Sequence, residues 1–333
     1  MTASDNNLLM VEGLSVRIQT AGGAVRAVER VSFNVERGKT LAIVGESGSG
    51  KSMLCRAVMG ILPACAKMPD TTRILFDGRD LATLPNKELN RIRGREVGIV
   101  LQNPLSSLNP VLTVAKQITE PMQYHLGISA VEAKGRALDL LQAVGIAQPE
   151  QRLKCHPHQL SGGMRQRVAI AIALACDPRL LIADEPTTAL DVTVQAEILN
   201  LLGRLQKERG MAMILVTHDL GVVAGRAHDT AVMYAGRVVE HAPTIDLFDK
   251  MRMHYTQALF DAIPRLDDLP HKLLKDIGGQ PPNLSAMLAG CPFAPRCARA
   301  EQRCREEEPP LVCDENEHHR YACWFPRCVE QRI

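Results

Sequence analysis

A chain of 333 residues is long for one domain and comfortable for two, and with 46% apolar residues it can bury a large core. A formal charge of +2 without any extended Lys/Arg run gives no pull toward nucleic acid, so partners have to be read from motifs. Residues 1–7 are polar without a basic leader, and the longest apolar helix candidate, 168–176, is about half of a membrane span; the chain is expected to stay in the cytosol.

Residues 8–19 and 25–35 alternate loosely around Ala21-Gly22-Gly23 and predict an antiparallel strand pair. Leu41-Ala42-Ile43-Val44 then reads as a buried strand running into Gly45-Glu46-Ser47-Gly48-Ser49-Gly50-Lys51-Ser52, which fits the pattern of a phosphate-binding loop. In such a loop Gly45, Ser47, Gly48 and Gly50 let backbone N–H groups turn inward on the β- and γ-phosphates, Lys51 adds a cation, and the Ser52 hydroxyl ligates Mg²⁺. A helix predicted from Lys51 aims its positive end at the same anion, and the adenine is expected near the first strand pair.

Residues 73–76 and 97–101 read as further strands, with Asp77-Gly78 as a turn. From 103 to about 158 the pattern changes to helices, for example 113–124 and 131–144, and predicts an inserted helical subdomain at about 103–172. Strand signals return at 180–183, 211–217 and 230–234, separated by helical runs such as 193–209, which predicts a mainly parallel sheet with crossover helices. The first of these strands ends in Asp184-Glu185, at the sheet edge where ligands bind. Asp184 can hold Mg²⁺ through its water shell, and Glu185 can orient or deprotonate a water aligned with the γ-phosphate; a helix N-cap pair is the plain alternative.

Leu160-Ser161-Gly162-Gly163-Met164 opens a helix in the manner of a second phosphate nest, which a chain with one phosphate loop has no need of. Here the sequence resembles the ATP-binding subunit of ABC transporters. The resemblance implies that Ser161, Gly162 and Gly163 cap the γ-phosphate held by a facing subunit, so that hydrolysis needs a head-to-tail dimer. It also implies that Gln102 is the Q-loop residue sensing Mg²⁺ and water, that Thr188-Ala189-Leu190-Asp191 is the D-loop with Asp191 at the nucleotide, and that His218 is the γ-phosphate switch. Where the family offers an aromatic residue to stack on adenine, this chain has Ile18, which departs from that pattern and loses part of a stacking energy of about 1 to 3 kcal/mol. The implied fold is α/β, a P-loop NTPase of ABC type with an antiparallel β subdomain, an inserted helical subdomain and a small Cys-rich C-terminal extension. The division is expected at 1–242 and 243–333.

The stretch from Gln102 through Asn109-Pro110, the run His156-Pro157-His158-Gln159 before the signature, and the tail residues Gly290-Cys291-Pro292-Phe293, Arg296-Cys297, Cys304 and Tyr321-Ala322-Cys323 are similar to the dipeptide and oligopeptide importer branch. That similarity implies a short-peptide substrate, two transmembrane permease subunits, a second homologous ATPase subunit forming a heterodimer, a solute-binding protein, and a peripheral position on the cytoplasmic face of the membrane. Importers of nickel and other small solutes are relatives. A soluble ABC-type ATPase acting on ribosomes or DNA is the competing class, which usually shows tandem cassettes or a long coiled-coil insertion.

Six of the ten cysteines fall in the last 43 residues. Cys291, Cys297, Cys304 and Cys323 are separated by five, six and eighteen residues, a spacing unlike a zinc ribbon and compatible with a 4Fe-4S cluster, which the resemblance also implies. Zinc and free or disulfide-linked thiols remain open. Cys55, Cys65, Cys155 and Cys176 are expected to be small buried hydrophobes, His318 and His319 a solvated pair, and Arg165 and Arg167 a solvated or phosphate-proximal face.

Overall fold

The computed structural model describes residues 6–103, 107–188, 190–263, 276–285, 289–314 and 318–327. Ala189 of the D-loop and Cys328 lie outside these residues. The chain divides into two compact units: a helical unit with residues up to 8, 35–39 and 83–216, and a loop unit with 9–34, 40–82 and 217–333.

In the loop unit, β1 (Asn7–Thr20) and β2 (Gly23–Glu36) are the predicted pair, each a few residues longer than the alternation suggested. β3 (Thr40–Val44) is buried at every position, as its unbroken apolar run requires, and the helix Lys51–Val58 follows the phosphate loop. β4 (Ala66–Lys67) and β5 (Arg73–Phe76) both pair with β1, and β6 (Arg79–Asp80) returns on β5. Asp77 and Gly78 join β5 to β6 at φ +49° and +78°, the left-handed pair that a two-residue hairpin turn demands.

The helical unit carries β7 (Val97–Val100), β8 (Leu180–Asp184) and β9 (Ala212–Thr217), paired in parallel with Val97 opposite Leu180 and Leu180 opposite Ala212. The inserted helices Val114–Leu126 and Ala130–Ala143 start where Thr113 and Ser129 cap them, each side chain accepting a backbone N–H three residues on. Pro121 sits inside the first of them, at the cost of one backbone bond. The helices Gly162–Ala173 and Val192–Arg209 cross over between the strands.

Back in the loop unit, β10 (Asp229–Tyr234) runs parallel to β3, and β11 (Arg237–Pro243) turns back antiparallel on β10 with a bulge after Val232. The tail adds β12 (Val312–Cys313) and β13 (Arg320–Tyr321), of which β13 pairs with β11 at Glu240 and His241. None of β11, β12 and β13 was legible in the alternation of the sequence. One apolar cluster spans the start and the end of this unit: Ala42 and Val44 of β3, Val232 and Tyr234 of β10, Tyr255 of the helix His254–Asp261, and Phe293 of the tail.

Candidate functional site

Two glycines of the phosphate loop are fixed by backbone crowding. Gly45 has φ +155°, and a Cβ there would lie 2.1 Å from the Met233 carbonyl; Gly50 has φ +102°, and its Cβ would lie 2.2 Å from the Ala27 carbonyl. No other residue fits either place. Inside the loop the Lys51 ammonium donates to the carbonyls of Gly45 at 2.7 Å and Glu46 at 2.9 Å and lies 3.4 Å from Ser49 Oγ, so a buried cation is held at the loop's centre. Ser47 and Gly48 are exposed at the tip, and Ser52 lies half-buried in the first helical turn. Ile18 is half-buried on β1, opposite Ala66.

Two neighbours of this loop escaped the sequence reading. The Glu46 N–H donates to the Tyr255 hydroxyl at 2.9 Å, and the Glu46 carboxylate receives both terminal nitrogens of Arg296, at 2.7 and 2.9 Å. That pairing holds the guanidinium well above its usual pKa, while burial pushes the Tyr255 hydroxyl up. The only signal available beforehand was an acidic residue inside a phosphate loop, which calls for a compensating cation somewhere.

In the helical unit Glu185 follows β8 in a left-handed conformation, φ +46°, with its N–H on the Val216 carbonyl at 3.0 Å. Its Oε2 accepts from Gln102 Nε2 at 2.8 Å and from the Thr188 hydroxyl at 2.9 Å. The structure therefore joins the predicted Q-loop glutamine and the predicted water-activating carboxylate directly, and a strained backbone of this kind is typical of functional positions. Asp184 is 2% exposed at the end of β8.

The signature nest sits at the exposed start of the helix Gly162–Ala173, where Ser161 caps by accepting the Met164 N–H. A Cβ on Gly163 would lie 3.0 Å from Val194 Cγ1, and one on Gly162 would lie 3.7 Å from Leu190 Cδ2. Signature and D-loop are thus packed together, with Asp191 exposed and capping the helix Val192–Arg209 through the Val194 N–H. Arg165 and Arg167 differ from expectation: they brace the fold, donating to the carbonyls of Pro157 and Val144, and Arg167 also pairs with Glu197. His218 is exposed just beyond β9, followed by Asp219, which caps the next turn.

The four tail cysteines Cys291, Cys297, Cys304 and Cys323 line a single cavity together with Phe293 and Met253. All nine described cysteines are free thiols, and among the described residues no three His, Cys, Asp or Glu side chains stand close enough to hold a metal ion. Burial pushes the thiols of Cys291, Cys297 and Cys323 up, the last to about 11; backbone N–H groups nearby oppose this. Cys55 and Cys176 are buried as expected, whereas Cys155 is only half-buried and Cys65 is exposed, against expectation; Cys313 is exposed as well. His318 is exposed, but His319 is buried against Glu240, its Nε2 2.7 Å from Oε1. A solvated pair is therefore wrong for His319: a carboxylate inside β11 needs a partner there.

Comparison with known proteins agrees with this geometry. Residues 28–188 match the family model for the ABC transporter, and residues 239–304 match that for the oligopeptide/dipeptide transporter, C-terminal region. The chain is 47% identical over 312 residues to the oligopeptide transport ATP-binding protein OppD of Bacillus subtilis, covering 94% of this chain and 87% of that one. It is 48% identical over 317 residues to the protein of the same name from Mycobacterium tuberculosis, covering 95% of this chain but only 51% of that longer protein. Among solved structures, the dimeric structure of a bacterial ABC transporter cassette superposes with a TM-score of 0.64 at 29% identity, over 71% of this chain and 98% of that one. With the ordered motifs between Gly45 and His218 and a tail that matches the peptide-transporter C-terminal region, this chain belongs to the ABC transporter family, as one of its ATP-binding cassettes.

Proposed function

We propose that the chain is the ATP-hydrolysing subunit of an importer for di- and oligopeptides, with a nucleotide-binding part at 1–242 and an extension at 243–333. The observation carrying this reading is that a phosphate loop with sterically obligatory glycines is led into by a strand whose Ala42 and Val44 share one apolar cluster with Phe293 of the peptide-transporter tail. Gly45, Ser47, Gly48 and Gly50 offer N–H groups to the phosphates, and Lys51 exchanges loop carbonyls for phosphate oxygens. Ser52 and Ile18 of the loop unit are the residues that would meet Mg²⁺ and the adenine respectively, and Asp184 and Gln102 are those that the helical unit would offer to Mg²⁺. Glu185, oriented by Gln102 and Thr188, aligns the attacking water, and His218 senses the γ-phosphate. Ser161, Gly162, Gly163 and Asp191 serve a nucleotide on the facing subunit; the exposure of Ser161, Gly162 and Asp191 on the helical unit supports this.

In this reading the partners are two transmembrane permease subunits, a second homologous ATPase subunit and a solute-binding protein. No described helix is long and apolar enough to cross a membrane, and the chain is placed on the cytoplasmic face by its permeases. The thiols around one cavity support a 4Fe-4S cluster held by Cys291, Cys297, Cys304 and Cys323, which would supply cross-linking of the tail through metal–thiolate bonds. Because burial pushes the thiols of Cys291, Cys297 and Cys323 up, these three would have to release their protons to hold a cluster. Anaerobically purified chain is expected to be brown with iron and sulfide in equal amounts; stoichiometric zinc without iron would overturn that assignment.

The function is tested by co-expressing the chain with its neighbouring membrane subunits and measuring ATP hydrolysis and uptake over a panel of peptides and nickel. Peptide-stimulated turnover that disappears in Lys51→Ala is the expected result. Stimulation by nickel or by ribosomes, with indifference to peptides, would contradict the reading.

A further inference from the structure

Glu46 puts a carboxylate inside a loop built to receive a polyanion. Left alone, that charge repels the triphosphate at short range, where little water screens it. The tail supplies the remedy. Arg296 stands 250 residues downstream, is 3% exposed as a side chain, and grips Glu46 through both terminal nitrogens. It is itself locked in place: Nη2 donates to the Ile277 carbonyl at 2.7 Å, Nε to the Gly278 carbonyl at 2.9 Å, and the guanidinium lies 5.9 Å from the centre of the Tyr234 ring and 6.0 Å from that of Phe293. The Tyr255 hydroxyl holds the Glu46 N–H, fixing the direction of the peptide that opens the loop. Phe293 meets Tyr234 and Tyr255 edge to face and the two tyrosine rings are tilted against each other, with ring centres 4.4 to 5.4 Å apart, so the two polar contacts stand on one aromatic support.

We infer that Arg296 and Tyr255 are positioning residues for the nucleotide: the C-terminal extension cancels the Glu46 charge and sets the loop's first peptide, so that affinity for ATP depends on the extension. This rests on the reading that the loop binds the nucleotide. It goes beyond that reading in making the tail part of the nucleotide site.

The test is titration of a fluorescent ATP analogue into the full chain, with the charge beside the loop stepped by substitution. Arg296→Gln leaves Glu46 unpaired and should raise Kd about tenfold at low salt, an effect that shrinks as salt rises. Glu46→Gln keeps the shape, removes the repulsion and should bind as tightly as the parent chain or tighter. The double variant should return to within about twofold of the parent, because the unbalanced charge is gone. Arg296→Lys should recover only part of the loss, since an ammonium cannot make the two-pronged contact. Tyr255→Phe should weaken binding by about threefold through the lost hydrogen bond. If Arg296→Gln does not fold, the sign for Glu46→Gln decides alone. Weaker binding by Glu46→Gln, or a double variant as weak as Arg296→Gln, would overturn the inference while Lys51→Ala still abolishes binding. Full affinity in Lys51→Ala would instead overturn the underlying assignment of the loop.

Discussion

Glu185 illustrates what a single residue is asked to do. Its backbone sits in a conformation that costs a non-glycine residue about 1 kcal/mol or more, and its Oε2 is held by Gln102 and Thr188 at the same time. Glu185→Gln keeps the size and the hydrogen-bonding shape but removes the carboxylate proposed to act as the base. Turnover in the assembled complex should fall by about 10² to 10⁴ while ATP is still bound; a variant hydrolysing ATP at the parent rate would remove Glu185 from its role. Residues of this kind were legible in the sequence because the chemistry dictates both their type and their spacing: a phosphate nest needs Gly45 and Gly50, and an apolar strand ending in two carboxylates needs no structure to be seen. Arg296 and Tyr255 were not legible, because their meaning comes from contacts with Glu46 that span 250 and 209 residues. Arg165 and Arg167 failed in the other direction, since a basic pair beside a signature looks like a ligand face until its carbonyl partners are known.

Elements with uniform chemistry were equally legible. β3, β8 and β9 are mainly apolar runs buried at every position, and the helices Val114–Leu126 and Ala130–Ala143 fall within two residues of the expected 113–124 and 131–144. β11 hid because it carries Arg237, Glu240 and His241, and two-residue strands such as β12 and β13 leave no period to detect. Glu240 is fully buried in β11, accepting from the N–H groups of Arg252 and Met253 and meeting His319.

Next to it, His241 has a buried Nε2 without a hydrogen-bond partner, and burial lowers its pKa to about 4, with Arg320 and His319 adding repulsion. The unfolded ring titrates near 6.5. Its neutral form therefore costs nothing above that pH, and stability is lost as pH falls from about 6.5 toward 4, by up to about 3 kcal/mol. Urea midpoints measured at pH 7.5 and 5 should show this loss, and His241→Phe should flatten it. An acid limb unchanged in that variant would place the titrating group elsewhere.

At the scale of the molecule, the C-terminal extension is part of the loop unit's core and not an appendage. Phe293 is 3% exposed and belongs to the cluster that contains Ala42 and Val44 beneath the phosphate loop. Phe293→Ala should cost about 3 to 5 kcal/mol in urea unfolding of the whole chain, whereas a loss below about 1 kcal/mol would mark the tail as independently attached. The proposed reading makes one further claim about organisation, that this cassette works head to tail with a second one. The most direct measurement of that claim is a structure of the Glu185→Gln complex with its partner subunits and ATP. The account predicts Ser161 and Gly163 of this chain against the γ-phosphate held by the partner's phosphate loop. Finding both residues in solvent, away from any bound triphosphate, would contradict it.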